Sequence, residues 1–230
     1  VNDVSITDSD VLTCVREGER LEHRGYQGNI HTGHIGDNKI LIKSAAGRGV
    51  TAWLNRRMLR REYLIYSRLA GISGIPHCYG FFMGRYLVLE NVESQTLRHA
   101  TIGDRKKFFV EMLATIEAIH ARGVAHGDLK RKENILVTHD SRPCLIDFGV
   151  SNFRKPGFHP LNHFWHSFSH QHDFNAWIKH KYDRKFEDIS PEDARYHRPL
   201  RIEKIARTIK KAWITIKKTG KPAKSPDQLK

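Results

Sequence analysis

Residues 126–149 read HGDLKRKENILVTHDSRPCLIDFG. Asp128 follows a His-Gly pair, Asn134 lies six residues on, and Asp147 closes the short apolar run Cys144-Leu145-Ile146. A hard divalent cation such as Mg²⁺ takes oxygen ligands, one or two carboxylates together with phosphate oxygens. Asn134 offers an amide oxygen and Asp147 a carboxylate. Asp128 is then placed to orient a hydroxyl and take its proton, with Lys130 neutralising charge on a moving phosphoryl group. His126 is either a ligand or base, or, as favoured here, a core histidine that holds the loop. Cys144 reads as strand packing.

Upstream, residues 51–69 have helical period, with Leu54, Met58, Ile65 and Leu69 as the apolar stripe. Glu62 falls on that stripe, and an inward carboxylate is costly unless paired. Lys43, at the end of the strand-like KILIK, is the candidate partner. The alternative is that Glu62 turns to the helix edge and meets solvent. Arg56, Arg57, Arg60 and Arg61 read as a solvated face, with recruitment of an anionic substrate as the sharper option. Residues 30–43 read as strand, 77–83 and 85–90 as two strands joined near Gly84, and 91–95 as a connector. Residues 104–122 form an amphipathic helix carrying Phe108, Phe109, Met112, Leu113, Ile116 and Ile119, stopped at Gly123. NILV and CLID read as short strands, and 173–182 and 200–218 as helices. The His-rich stretch 158–172 lacks the cysteines and spacing of a zinc site and reads as a segment packed on the lower lobe. Helix 200–218 is either an ordinary lobe helix or a surface for anionic lipid or RNA.

The 230 residues suit one large domain or two lobes around a cleft. The net charge of +14 favours an anionic partner, and residues 199–230 alone hold ten Lys/Arg against two acids. Three cysteines without a CxxC pair read as reduced and intracellular, and the polar, acidic start VNDVSITDSDVLTC does not read as a secretory signal. No stretch reaches 18 apolar residues. The order of elements predicts an α+β fold of two unequal lobes: 1–90, 91–218, and a flexible basic tail over 219–230.

Lys43 in LIK, Glu62 nineteen residues later, LVLENV at 87–92, HGDLKRKEN and DFG stand in the order and at the spacings of the protein-kinase-like superfamily. The chain resembles that superfamily from residue 23 to 149, and the likeness extends to Asp173 in DFNAW. The resemblance implies a β-rich N-lobe with one main helix, a shortened helical C-lobe, and ATP and Mg²⁺ as cofactors. It implies that Lys43 holds the α- and β-phosphates and Glu62 fixes Lys43. Glu90 and Val92 would offer backbone groups to adenine, and Gly25 and Gly28 would let the backbone close over the phosphates. Asp128 would be the base, Asn134 and Asp147 the metal ligands, and Asp173 would brace the catalytic loop.

Several features depart from the superfamily's pattern. His23 stands where the first glycine of the phosphate loop belongs. Asn134 is six residues after Asp128 where the pattern has five. Gly127 replaces an Arg that in many kinases awaits a phosphate, and no APE-like motif follows DFG. This reduced form resembles RIO-type kinases, the small kinase of the tRNA-threonylcarbamoyl machinery and lipopolysaccharide-core sugar kinases. The expected function is transfer of the γ-phosphate of ATP to a hydroxyl. A Ser/Thr protein acceptor comes first, a glycolipid sugar second and a nucleotide-binding pseudokinase scaffold third. The expected location is the cytoplasm, with peripheral contact to an anionic inner membrane as a variant. Nucleic acid is the weaker partner.

Overall fold

The computed structural model describes residues 6–17, 19–25 and 28–198. The readings of 200–218 as a helix and 219–230 as a tail lie outside them. The fold is α+β. Strands β1 (Glu19–Gly25), β2 (Gly28–Ile35), β3 (Asn38–Ala45), β4 (Cys78–Phe82) and β5 (Tyr86–Glu90) make one antiparallel sheet in the order β1-β2-β3-β5-β4. The run read as one strand over 30–43 is thus two, separated at Gly36, whose φ of 57° suits a tight turn. Gly25 pairs with Gly28 at the tip of the β1–β2 hairpin.

Strand alternation decides what each face of the sheet does. Ile40 and Ile42 point to one side, where they pack with Tyr86 and Val88 against Val11 and Cys14. Those last two belong to α1 (Asp8–Glu17), a helix the sequence reading did not anticipate. Its start is a reciprocal cap: Thr7 N–H donates to Asp10 Oδ2 at 2.9 Å, and Asp10 N–H to Thr7 Oγ1 at 3.3 Å. Lys43 points to the other side, with Ala45, Leu87 and Leu89, where α2 (Gly49–Arg68) lies.

The buried face of α2 differs from the predicted stripe. Leu54 and Met58 are exposed, and the inward side chains are Leu59, Glu62, Ile65 and Tyr66, with Leu69 just beyond. The face keeps Glu62, Ile65 and Leu69 of that stripe and adds Leu59 and Tyr66, the ring of Tyr66 lying against Phe148 with centroids 5.1 Å apart.

Part of the expected 91–95 connector is strand β6 (Ser94–Thr96), which joins β8 (Ile135–Thr138) and β9 (Pro143–Leu145) in a second sheet. Helix α3 (Arg105–Ala121) starts at Asp104, whose carboxylate accepts the Lys107 N–H at 2.9 Å, and stops at Gly123, with φ 72°. Two-residue strands β7 (Val124–Ala125) and β10 (Asn152–Phe153) pair with each other. Then comes α4 (Pro160–Lys181), 22 residues long and begun thirteen residues before the sequence expectation. The short helix α5 (Pro191–Ala194) follows.

The first half of α4 escaped prediction because its buried stripe is polar there, His166, Ser169 and Asp173, before Ala176, Trp177 and His180. Several imidazoles on it are held neutral. Burial pushes His180 down to about 4 against the pull of the Leu129 carbonyl, and burial with the neighbouring His120 pushes His170 to about 4. His166 and His172 are also lowered, first by burial. An unfolded chain takes these protons near pH 6.5 while the folded one refuses them, so stability falls as pH drops from 6.5 towards 4. The melting temperature is expected to fall by at least about 4 °C between pH 7 and pH 5, before most carboxylates titrate. A flat profile over that range would show that these rings protonate in place.

Candidate active site

Lys43 Nζ lies 2.6 Å from Glu62 Oε1 and 3.4 Å from Asp147 Oδ1. Glu62 is 2% exposed, so of the two readings the structure shows the inward ion pair and not the solvent-facing carboxylate. Burial alone would depress the Lys43 ammonium, but Glu62 and Asp147 outweigh it and hold Lys43 above its ordinary value. Burial likewise works against the Asp147 carboxylate, and Lys43 with the Gly149 N–H brings it below the usual range. One cation therefore serves two carboxylates, one from α2 and one from the segment after β9.

Asp147 has φ 65°, in the left-handed region that costs a non-glycine residue roughly 1 kcal/mol or more. Its N–H donates to the Tyr66 hydroxyl at 3.3 Å. Sequence reasoning missed Tyr66; its only signal is a large aromatic four residues after Glu62, on the same helix face.

The loop before β8 is fixed by hydrogen bonds to its own backbone. The Asp173 carboxylate, fully buried, accepts the N–H of His126 at 2.7 Å, that of Gly127 at 2.8 Å and His120 Nε2 at 3.0 Å. His180 Nε2 donates to Leu129 O at 2.9 Å, and Lys179 Nζ to Lys130 O at 2.8 Å. An irregular buried loop must have its backbone groups satisfied, and α4 supplies the partners. Asp173 lies well inside α4, not at the start of a helix. His126 is a core histidine: its Nε2 donates to Ile146 O at 2.9 Å and its Nδ1 accepts the Asp128 N–H at 3.4 Å. Gly127 has φ 80°, so a backbone demand accounts for glycine here.

The residue inserted between Asp128 and Asn134 is taken up by two successive turns. Arg131 N–H donates to Asp128 O at 3.4 Å, and Asn134 N–H to Arg131 O at 3.2 Å, with Lys132–Asn134 forming a 3₁₀ turn. Asn134 Nδ2 then reaches Asp128 O at 3.0 Å and Asp128 Oδ2 at 3.1 Å. Ile146 N–H donates to Asn134 O at 3.0 Å, which sets Asn134 beside the backbone that carries Asp147. The amide nitrogen of Asn134 is spent on Asp128, so its oxygen is the atom offered to a cation. With the Asp147 carboxylate that makes an oxygen donor set, the kind Mg²⁺ takes.

The strand end at Glu90 is also defined. Its N–H donates to His77 O at 2.8 Å and its carboxylate accepts the His77 N–H at 2.9 Å. The Val92 carbonyl accepts Ser94 Oγ at 2.9 Å. Burial lowers the His172 imidazole, and the nearby Lys130 charge adds to that lowering. Arg61 is exposed, as expected of a solvated face, and also donates from its guanidinium to Ser151 O. Cys144 is buried in β9 and its thiol is pushed up to about 12 by burial, which keeps it unreactive.

A family model described as the protein kinase domain matches residues 26–173, more than half of the chain. CDPK-related kinase 5 of Arabidopsis thaliana is 30% identical over 138 residues, 53% of this chain and 23% of that protein. Serine/threonine-protein kinase PknA of Nostoc sp. is 32% identical over 109 residues, 42% of this chain and 19% of that protein. Serine/threonine-protein kinase kin-29 of Caenorhabditis briggsae is 49% identical over 51 residues, 22% of this chain and 6% of that protein. The chain spans less than a quarter of the length of each of these three relatives.

Asp173→Asn removes one of two acceptor oxygens and faces an amide N–H₂ towards backbone donors. It is expected to lower stability in urea unfolding by about 2–4 kcal/mol. A loss under about 0.5 kcal/mol would mean that the loop does not depend on this carboxylate.

Proposed function

The chain belongs to the protein kinase domain family, and from that premise we propose that it is an ATP- and Mg²⁺-dependent phosphotransferase acting on Ser/Thr hydroxyls of proteins. The observation that carries the reading is the Lys43–Glu62–Asp147 ion cluster, assembled from the sheet, α2 and the segment after β9. A cation fixed by a buried carboxylate is suited to phosphate oxygens, because its position is set before the ligand arrives.

Each residue then has a role matched to its surroundings. Lys43 holds the α- and β-phosphates and Glu62 holds Lys43. Glu90 has its N–H engaged by His77 and offers adenine its carbonyl; Val92 has its carbonyl engaged by Ser94 and offers its N–H. Gly25 and Gly28 close the hairpin tip over the phosphates. Asp128 is held through its own N–H by His126 and through its carboxylate by Asn134, so one oxygen face remains directed by these contacts towards an incoming hydroxyl. It takes the hydroxyl proton as the oxygen attacks, and Lys130 offsets the charge on the transferring group. Asn134 and Asp147 would hold Mg²⁺, which when bound neutralises phosphate charge.

A protein acceptor is favoured over a sugar by Lys130, two residues after Asp128 as in the Ser/Thr pattern, and by the serine/threonine kinases among the relatives. Transfer from [γ-³²P]ATP with Mg²⁺ to the chain itself, to a basic protein mixture and to purified lipopolysaccharide tests the reading. Label is expected on protein, reduced at least about 100-fold in Asp128→Ala while nucleotide affinity stays within about threefold. Asp147→Asn is expected to lose the Mg²⁺-dependent part of nucleotide affinity. Label on glycolipid alone would make the chain a sugar kinase, and transfer that survives Asp128→Ala would remove Asp128 from the role of base.

A further inference from the structure

A cavity of about 1460 Å³ opens between the end of α3, the segment that continues β10, α4 and residues 195–198. It shares no residue with the Lys43–Asp147 cluster. Six cations line it: Arg68, Arg122, Arg154, Lys155, Arg195 and Arg198. Among the described residues Glu117 is its one acid. None of the six pairs with a carboxylate among the described residues. Arg68 and Arg122 instead donate to each other's main-chain carbonyls at 2.6 and 2.9 Å, and Arg195 to the Tyr196 hydroxyl at 3.0 Å. Glu117 accepts from that same hydroxyl at 2.8 Å.

Two imidazoles in the lining are buried and incompletely satisfied. His120 Nδ1 and His166 Nε2 have no hydrogen-bond partner, although both rings are at least nine-tenths buried. Buried polar atoms are almost always paired; His120 Nε2 already donates to Asp173, so its Nδ1 is a lone-pair acceptor that calls for a donor and not for an anion. Within this sequence, the residues outside the described ones hold few acids. Residues 1–5 contain one acid, and residues 199–230 carry two acids against ten Lys/Arg. The cations converge from four separate segments onto one cavity, which a compact polyanion can bridge at once and a single carboxylate cannot. Guanidinium forks match phosphate oxygens in geometry as well as charge.

We propose that this cavity binds a small polyphosphorylated molecule, through Arg122, Arg154, Lys155 and Arg198. The proposal is independent of catalysis, so binding is measured directly. The full chain is held with a non-hydrolysable ATP analogue and Mg²⁺ to occupy the nucleotide cleft. It is titrated calorimetrically with inositol hexakisphosphate at about 0.15 M salt, where exposed charges are screened beyond about 8 Å. Saturable one-to-one binding is expected. Arg154→Ala/Lys155→Ala/Arg198→Ala should weaken it at least about tenfold. Arg56→Ala/Arg57→Ala/Arg60→Ala, which removes the same charge from exposed positions on α2, should change it less than about twofold. Arg154→Ala/Lys155→Ala, confined to two exposed side chains, serves where the triple variant melts early, and should weaken binding about fivefold. Equal weakening by the two triple variants, or absence of a saturable site, would overturn the proposal. So would tighter, cavity-dependent binding of a single-stranded RNA 20-mer or of phosphoinositide vesicles than of the free polyphosphate.

Discussion

The lower half of the molecule depends on one buried carboxylate. Asp173 has no Lys or Arg beside it among the described residues and is fully buried, yet it accepts hydrogens from two adjacent main-chain amides and an imidazole. A charge in that position is tolerated because three donors replace its hydration. In return it fixes the backbone at His126 and Gly127, one residue before Asp128. The loop turns sharply there, and its amides cannot pair in a helix or sheet. Six and seven residues along the same helix, Lys179 and His180 hold the next two carbonyls in use, those of Lys130 and Leu129. Helix α4 acts as the scaffold of the loop that carries Asp128, and its inward face is polar for that reason.

This explains what the sequence disclosed and what it withheld. The Lys43–Glu62 pair was legible because a carboxylate on an apolar helix face is a local anomaly that demands a distant partner. The α3 helix was legible because its core residues are apolar at helical spacing and a glycine ends it. The first half of α4 was not, because His166, Ser169 and Asp173 face inward and a hydrophobic period cannot register them. Helix α1 has just Val11 and Cys14 on its buried side, two residues three apart, which is too little for a periodic signal. The shift from Met58 to Leu59 and Tyr66 on α2 was set by what lies beneath, Phe148, and no pattern within the helix carries that information. Arg61 and Tyr66 are tertiary partners of residues 80 or more positions away, so their roles appear when the chain is folded.

Helix α2 is the counterpart of α4 above the cleft. Within eight residues it places Glu62 on Lys43 of the sheet, Tyr66 on the Asp147 amide, Arg61 on the Ser151 carbonyl and Arg68 on the Arg122 carbonyl. Four side chains thus tie one helix to the sheet, to the strained Asp147, to the segment beyond it and to the end of α3. Arg68 also lies over the Phe153 ring at 4.5 Å. A helix so held cannot swing away without breaking several bonds together, one of them a buried ion pair whose rupture typically costs about 3–5 kcal/mol.

The same economy accounts for the two departures in the loop that carries Asp128. Gly127 occupies a left-handed position where its amide must reach Asp173, so the missing arginine and the backbone geometry are one requirement. The extra residue before Asn134 would displace that amide if the loop were extended. Instead, two turns shorten the path until Asn134 Nδ2 meets both the carbonyl and the carboxylate of Asp128. Spacing in the sequence therefore misleads about distance in space. What is kept between Asp128 and Asn134 is a contact, and the 3₁₀ turn over Lys132–Asn134 is the means by which a longer loop keeps it.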